Sequence, residues 1–394
     1  MNRKLFALLS VLLVALLVMA ACGGGGSEPA EEAAPAAEEE APVEEEAAPA
    51  EEEAAPAEEE AAAEEEAPAE EEAAAEEEMP AGAAAFPIMP GGFLEQAVNG
   101  DFAGTTVTVD GPIAQPEDVK FAESMKAFEE ATGITVNYVG NREFEGTISI
   151  RVDAGDPPDI ADFPQPGLLA NFVRKGQIID PTSWMSEEWL AQQYNPSWLD
   201  MSIMEGPDGP QSAGVWYRFN GKSLVWYPKD DFEAAGYEMP TTWEEMIALS
   251  DMIVADGDTP WCVGIGSGAA TGWPATDWME EVLLRTTSLE NYDAWTTGDL
   301  AFASDEVKNA AEILAEVWFT DGYVFGGRDS IVSTTFSDSP VPMFEDPPRC
   351  WMHRQGNFIT GFFPEGAEAG VDYDFFYLPP IGDEYGKPFL VAGD

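Results

Sequence analysis

The sequence changes character near Gly92, and that break decides which part of the chain can build a core. From Gly23 to about Gly92 it is reduced almost entirely to Glu, Ala, Pro and Gly. Glu triplets start at positions 38, 44, 51, 58, 64, 70 and 76, and Pro35, Pro42, Pro49 and Pro56 fall seven apart. A seven-residue period suggests a coiled coil, but no apolar seam exists to be buried. Stacked Glu side chains repel at helical spacing, and proline interrupts each would-be helix. Residues 22 to 92 are therefore expected to be a solvated, self-repelling, disordered tether. Roughly 70 residues of such chain span on the order of 45 Å, enough to hold a domain clear of a surface.

Ahead of the tether, residues 1–21 open with a basic Asn-Arg-Lys and continue into the uncharged run "LFALLSVLLVALLVMAA", the pattern of an export signal. Cys22 follows two small residues in "MAAC", which resembles a bacterial lipoprotein processing site, with Met19 where Leu is usual. Cleavage before Cys22 would leave that cysteine lipidated and the protein tied to the membrane. The alternative is an uncleaved anchor, since a run of this length is just able to span a bilayer.

The formal net charge is -58, from 75 acidic and 17 basic residues. The tether holds 24 of the acidic residues, so 51 lie elsewhere and the folding part is acidic as well. Phosphate contacts need clustered Lys and Arg, which this sequence lacks, so nucleic acid is not an expected partner. Residues 93–394 are long enough for two cores. Cys262 and Cys350 remain once Cys22 is set aside. In an exported protein such a pair is expected to bond; two separate buried thiols are the alternative.

Along this part, strands and helices alternate. "GTTVTVDGP" reads as a strand and "PEDVKFAESMKAFEEATG" as a helix with Val119, Ala122, Met125 and Phe128 on one face and Gly133 as its stop. "ITVNYVG" and "PDIADF" read as strands, "EFEGTISIRVDAG" and "GLLANFVRKG" as helices. That order predicts a parallel α/β sheet, and ligands collect beyond the carboxyl ends of such strands, where Phe163 and Gln165 lie. Further on, "AGVWYRFNGKSLVWYP" carries two strand-like runs, and a capping box at Thr241 or Thr242 opens the helix "TTWEEMIALSDMIVADG". "WCVGIGSG" reads as a buried strand, "ATDWMEEVLLR" and "SDEVKNAAEILAEVWFTDG" as helices, and "YDFFYLPP" and "GKPFLVAGD" as strands.

"GWPATDW" sets Trp273 and Trp278 on either side of Asp277 among small residues. A core accepts the indoles but not an unpaired carboxylate. A site for a polar ligand with apolar faces would welcome both. The duller reading is that the indoles pack and Asp277 serves the helix dipole.

The segments "FEEATGITVNY", "AGDPPDIADFPQPGLL", "FNGKSLVWYPKDDFEAAGYEMPTTWEEM", "GWPATDWMEEVLLR" and "MFEDPPRCWMHRQGNF", in this order, resemble the extracellular solute-binding proteins of bacterial ABC importers, specifically the sugar-binding family that includes maltose and alpha-glucoside binders. The resemblance implies a two-lobe, type II periplasmic-binding-protein-like α/β fold with a cleft between lobes. Lobe one would take residues 93–218, lobe two 219–386, and a return crossing 387–394. Family members continue through further helices that finish lobe one, so this chain is expected to be incomplete at its end. The implied ligand-binding residues are Asp162, Phe163 and Gln165, then Trp273, Asp277 and Trp278, then Asp346, Arg349 and Trp351, with Trp216 and Tyr217 near the first crossing. Arg349 has a blander reading as a brace for Asp346. The implied partners are a sugar, the permease subunits of an ABC importer and, through Cys22, the membrane, with the protein a monomer.

No cofactor is implied. His353 is the only histidine, which leaves little for a Ser-His-Asp triad or a multi-histidine metal site, and a structural hydrogen bond is its expected role. "GIGSG" lacks the Lys of a phosphate-cradling Walker loop and reads as a permissive turn. The competing functional class is a secreted glycoside hydrolase with Asp277 and either Glu345 or Asp346 as its paired carboxylates.

Overall fold

A computed structural model of the chain describes residues 86–88 and 90–393. The expected signal, Cys22 and nearly all of the expected tether lie outside the described residues. A short helix, Phe93–Val98, comes first.

Three parallel strands follow: β1 (Thr106–Gly111), β2 (Thr135–Gly140) and the two-residue β3 (Ile160–Ala161), in the order β2-β1-β3. β1 and β2 run in register from Thr106 opposite Thr135 to Gly111 opposite Gly140. The crossover helices are Glu117–Thr132 and Phe144–Asp153, with Pro166–Arg174 after β3. Glu117–Thr132 stops at Gly133, whose positive φ of 69° lets its N–H bond back to Glu129 O at 2.8 Å. Its inward face differs from the expected one. Val119 and Ala122 are exposed, and the sheltered stripe is Phe121, Met125, Phe128 and Thr132. The cause is tertiary: Phe121 packs on Tyr138 of β2, ring centroids 4.1 Å apart.

After two short helices and the antiparallel hairpin β4 (Ile203–Gly206) with β5 (Gly209–Ser212), β6 (Phe219–Gly221) leads into the second sheet. There β7 (Leu224–Pro228), buried along its whole length, lies between β8 (His353–Arg354) and β9 (Tyr373–Tyr377). A strand buried on both faces has to be apolar throughout, as "LVWYP" is. Near the end β10 (Val391–Gly393) returns antiparallel to β6, so two neighbouring strands cross together.

The larger core packs beside β7 and is rich in indole, with Trp261, Trp278, Trp318 and Trp351 all buried in it. Helix Trp243–Asp256 carries the expected capping box, formed by Thr242 and Glu245. Cys262 and Cys350 form a buried disulfide with Cα atoms 5.4 Å apart. "WCVGIGSG" is not a strand. Its residues make only isolated bridges, Trp261 to Val324 and Met352 and Gly266 to Thr335. Its glycines serve close approach: a Cβ on Gly264 would lie 2.7 Å from Thr335 O and 2.8 Å from Thr334 O.

Candidate ligand-binding site

At the carboxyl end of the parallel sheet, three residues from three parts of the chain converge. Asp162, directly after β3, is 6% exposed and accepts hydrogen bonds at Oδ2 from the hydroxyls of Tyr138 (3.2 Å) and Tyr217 (2.9 Å). Gly111 makes the room: a Cβ there would collide with the Tyr138 hydroxyl and come within 2.8 Å of Asp162 Cβ. The edge of Phe121 faces Tyr217 at 6.2 Å. Burial, and after it the Asp162 charge, pushes both phenols well above their usual pKa, with Arg218 opposing, so both remain protonated donors. Tyr217 is 44% exposed as a residue, with its hydroxyl turned to Asp162.

A second wall grows from helix Trp273–Thr286, entered through Gly272 at φ 115°. Trp273 is the first residue of this helix rather than a loop residue. It is half-buried against Phe336 (5.1 Å) and Phe358 (5.8 Å). One helical turn on, Asp277 Oδ2 receives Lys222 Nζ at 2.9 Å and lies 3.7 Å from Arg354 Nη1. Lys222 follows β6 directly, and its ammonium also stands over the rings of Trp273 (4.9 Å) and Phe358 (5.3 Å).

Behind Asp277 the ionic network continues inward. Glu281, fully buried, pairs with Arg285 and with Arg354 Nη2 (2.8 Å) and accepts from Ser223 Oγ (2.8 Å). Arg285 in turn donates to the carbonyls of Leu378 (3.0 Å), Pro379 (2.9 Å) and Pro388 (3.1 Å). Burial first, then Asp277, pushes the Glu280 carboxyl up to about 7, while Lys222 and Arg354 oppose the shift. The wall and the crossing segments thus share one electrostatic framework.

Away from these two walls, the segments that follow β2 touch residues around 268–269 and 337–362. Arg142, beyond β2, donates to Ser337 Oγ (3.4 Å) and Gln115 O (3.0 Å) and lies over the Phe362 ring at 5.9 Å. Gly268 abuts Glu143, and Gly146 faces Ala269 so closely that a Cβ there would stand 3.2 Å from the alanine methyl.

Of the residues singled out from sequence, Asp162 and Tyr217 occupy the first wall, Trp273 and Asp277 the second. Gln165 sits at the N-cap of helix Pro166–Arg174 with no capping bond from its side chain. Phe163 packs between Phe144 (5.5 Å) and Phe172 (5.4 Å). Trp216 donates from Nε1 to Trp198 O at 2.7 Å and packs edge-on to that indole. Trp278, 2% exposed, turns into the core against Trp261 and Trp318; a helix that shows residue 273 outward carries residue 278 inward. Trp351, 5% exposed, packs edge-on to Tyr237, and both indoles belong to the larger core. Asp346 and Arg349 are exposed; Arg349 pairs at 3.7 Å with Glu345, not Asp346, and covers Phe325.

Nothing in this placement supports the hydrolase pairing. Asp277 is held by two cations, and Glu345 pairs with Arg349. His353 has the structural bond expected of it, Nδ1 to Cys262 O at 2.8 Å, and burial depresses its pKa to about 4. Among the described residues no group of three or more His, Cys, Asp or Glu is placed to hold a metal, and no helix is long and apolar enough to cross a membrane. Sequence reasoning missed Tyr138, Lys222, Arg354, Phe336 and Phe358. Lys222 had one usable signal, as an isolated base beside the crossing in a strongly acidic chain.

Two α/β regions joined by paired crossing strands, with polar-aromatic walls between them, define a type II periplasmic-binding-protein fold. Solved structures share it. The bacterial solute receptor AcbH, described as preferring β-D-galactopyranose, superposes with a TM-score of 0.58 at 21% identity, covering 74% of this chain and 71% of that one. Maltose-bound MalE3 of T. maritima gives 0.56 at 14% identity, covering 74% and 71%. Residues 114–392 match the family model for bacterial extracellular solute-binding proteins, and the chain belongs to that family. It is 45% identical over 297 residues to the osmoprotective compounds-binding protein GgtB of Synechocystis sp., covering 75% of this chain and 69% of the relative. It is 43% identical over 300 residues to the alpha-glucosides-binding periplasmic protein AglE of Rhizobium meliloti, covering 74% and 65%. The match therefore spans about two thirds of each relative's length.

Proposed function

We propose that this protein captures an uncharged sugar, an alpha-glucoside or another oligosaccharide, outside the cytoplasm and delivers it to the permease of an ABC importer without altering it. The observation that carries this reading is the pairing of two walls, each joining a carboxylate to aromatic rings. Tyr217 and Phe121 would cover one sugar face and Trp273 with Phe358 another, while the Tyr138 and Tyr217 hydroxyls, Asp162 and Asp277 would exchange hydrogen bonds with sugar hydroxyls. Residues 93–218 would form most of lobe one and 219–386 lobe two, the lobes closing about β6 and β10. Cys22 would carry lipid and the preceding signal would be removed, leaving a monomer on a long acidic tether. AglE, whose name records alpha-glucosides, supports that ligand class, while the name of GgtB records osmoprotective compounds.

A thermal-shift panel of mono-, di- and trisaccharides tests the proposal, because a ligand of the folded state raises apparent stability by RT ln(1 + [L]/Kd). One or more glucosides should raise the melting temperature, and maltose incubated with the protein should return without free glucose. A flat response across the panel, or release of glucose, contradicts it.

A further inference from the structure

The second wall has the parts of a cation site. Aromatic faces attract ammonium groups within about 6 Å, most strongly where water is excluded, and a neighbouring carboxylate completes the seat. Trp273, Phe358 and Asp277 supply those parts, and the ammonium already in the seat belongs to the chain itself. Lys222 Nζ is 4.9 Å from the Trp273 centroid, 5.3 Å from that of Phe358 and 2.9 Å from Asp277 Oδ2. Its residue is only 8% exposed, and its backbone N–H is fixed to Leu390 O at 2.8 Å beside β10, so the ammonium is delivered from a tethered position. An incoming cation would have to displace it and leave a buried ammonium without its partner, which is strongly unfavourable.

We propose that Lys222 is a specificity-determining residue that fills the cation seat of the ligand wall and so restricts the site to uncharged polyhydroxy ligands, shutting out quaternary ammonium solutes. The inference rests on the reading above that the Trp273 wall faces the ligand. The setting gives such a residue a task. A chain of formal net charge -58 draws cations toward itself, and an aromatic-carboxylate pocket open to them would be occupied by whatever cationic solute is abundant. An internal ammonium removes that competition and leaves hydroxyl-bearing ligands to bind by ring stacking and hydrogen bonds.

Calorimetric titration with tetramethylammonium chloride, against sodium chloride at matched ionic strength, tests the gate in the full chain and in Lys222→Ala, Lys222→Gln and Lys222→Arg. The parent and Lys222→Arg should show no saturable binding. Lys222→Ala should gain saturable binding at least about tenfold tighter than any the parent shows, and adding Trp273→Ala should abolish the gain. Lys222→Gln carries the same expectation should the alanine variant not fold. Saturable binding by the parent, or a folded Ala or Gln variant that binds no more than the parent, overturns the gate. A parallel titration with neutral sugars keeps the two readings apart: a parent that binds no sugar sinks the proposed function, while the tetramethylammonium arm alone decides the role of Lys222.

Discussion

The two walls hold their carboxylates in opposite ways. Asp162 takes two neutral phenols at Oδ2, with the Arg218 charge acting on the same cluster, whereas Asp277 takes an ammonium and lies beside a guanidinium. A phenol can surrender its hydrogen bond to a ligand hydroxyl and receive an equivalent one, so the first wall can re-pair at little expense. The second wall is anchored in a buried ionic framework in which losing one member strands another. The comparison teaches that similar residue types perform different duties: the Tyr-Asp wall is built to exchange partners, and the Lys-Asp wall is built to hold its carboxylate and rings in place for the ligand.

The largest test of that contrast lies behind the second wall. Glu281→Ala should destabilise the protein by about 3–5 kcal/mol, since it leaves Arg285 and Arg354 buried without their carboxylate. Guanidinium unfolding measures it, and a loss under about 1 kcal/mol would show that the framework holds nothing together.

Next comes the matched pair Asp277→Asn and Asp162→Asn. The first should lower stability by about 1–3 kcal/mol, because Lys222 loses its charged partner. The second should change stability less and mainly weaken ligand binding. Equal stability losses would erase the distinction between the walls.

A smaller effect separates the walls by pH. Glu280, beside Asp277, Glu281, Lys222, Arg354 and Tyr292, has its pKa raised from 4.5 to about 7, mainly by burial. The folded state therefore holds this proton more tightly than the unfolded one. The stabilisation is complete below about pH 4.5 and is lost as pH rises toward about 7. His353 runs the other way: its pKa falls from 6.5 to about 4, so its contribution is lost as pH falls through that window. The two slopes overlap, so the difference between parent and Glu280→Gln is the quantity to measure. The parent should lose roughly 1–2 kcal/mol relative to the variant between pH 4.5 and 7. A constant difference would mean that Glu280 titrates normally. No such feature belongs to the first wall, whose phenols stay protonated throughout.

Much of the fold was legible because local pattern and tertiary packing agree there. The β1-helix-β2 unit, the capping box at Thr242 and the all-apolar β7 can each be read from spacing. Where packing overrides pattern the reading slipped. Phe121 rather than Val119 faces inward because Tyr138 waits for it, and "WCVGIGSG" stays irregular because its glycines admit the Thr334 and Thr335 carbonyls. The segment from Pro181 to Ser212, with short capped helices and a hairpin, carried turn signals that were passed over. In the site, Asp277 stood out as a carboxylate between two indoles, and Asp162 came from the family resemblance. Tyr217 was named with them, but the other partners were not: Tyr138 comes from 24 residues away from Asp162, and Lys222 from 55 away from Asp277. Trp278 and Trp351 misled for the converse reason, since an indole looks the same in a core and in a cleft.

The central claim is that both walls grip one neutral ligand. Calorimetric titration of the sugar found by the panel into the parent, Tyr217→Phe and Trp273→Ala, each shown to melt cooperatively, tests it most directly. Tyr217→Phe should weaken binding by about 1 kcal/mol, having lost one hydroxyl, and Trp273→Ala by roughly 1–3 kcal/mol, up to about a hundredfold in Kd. If either folded variant binds that sugar as tightly as the parent, its wall does not touch the ligand and the two-wall account is wrong.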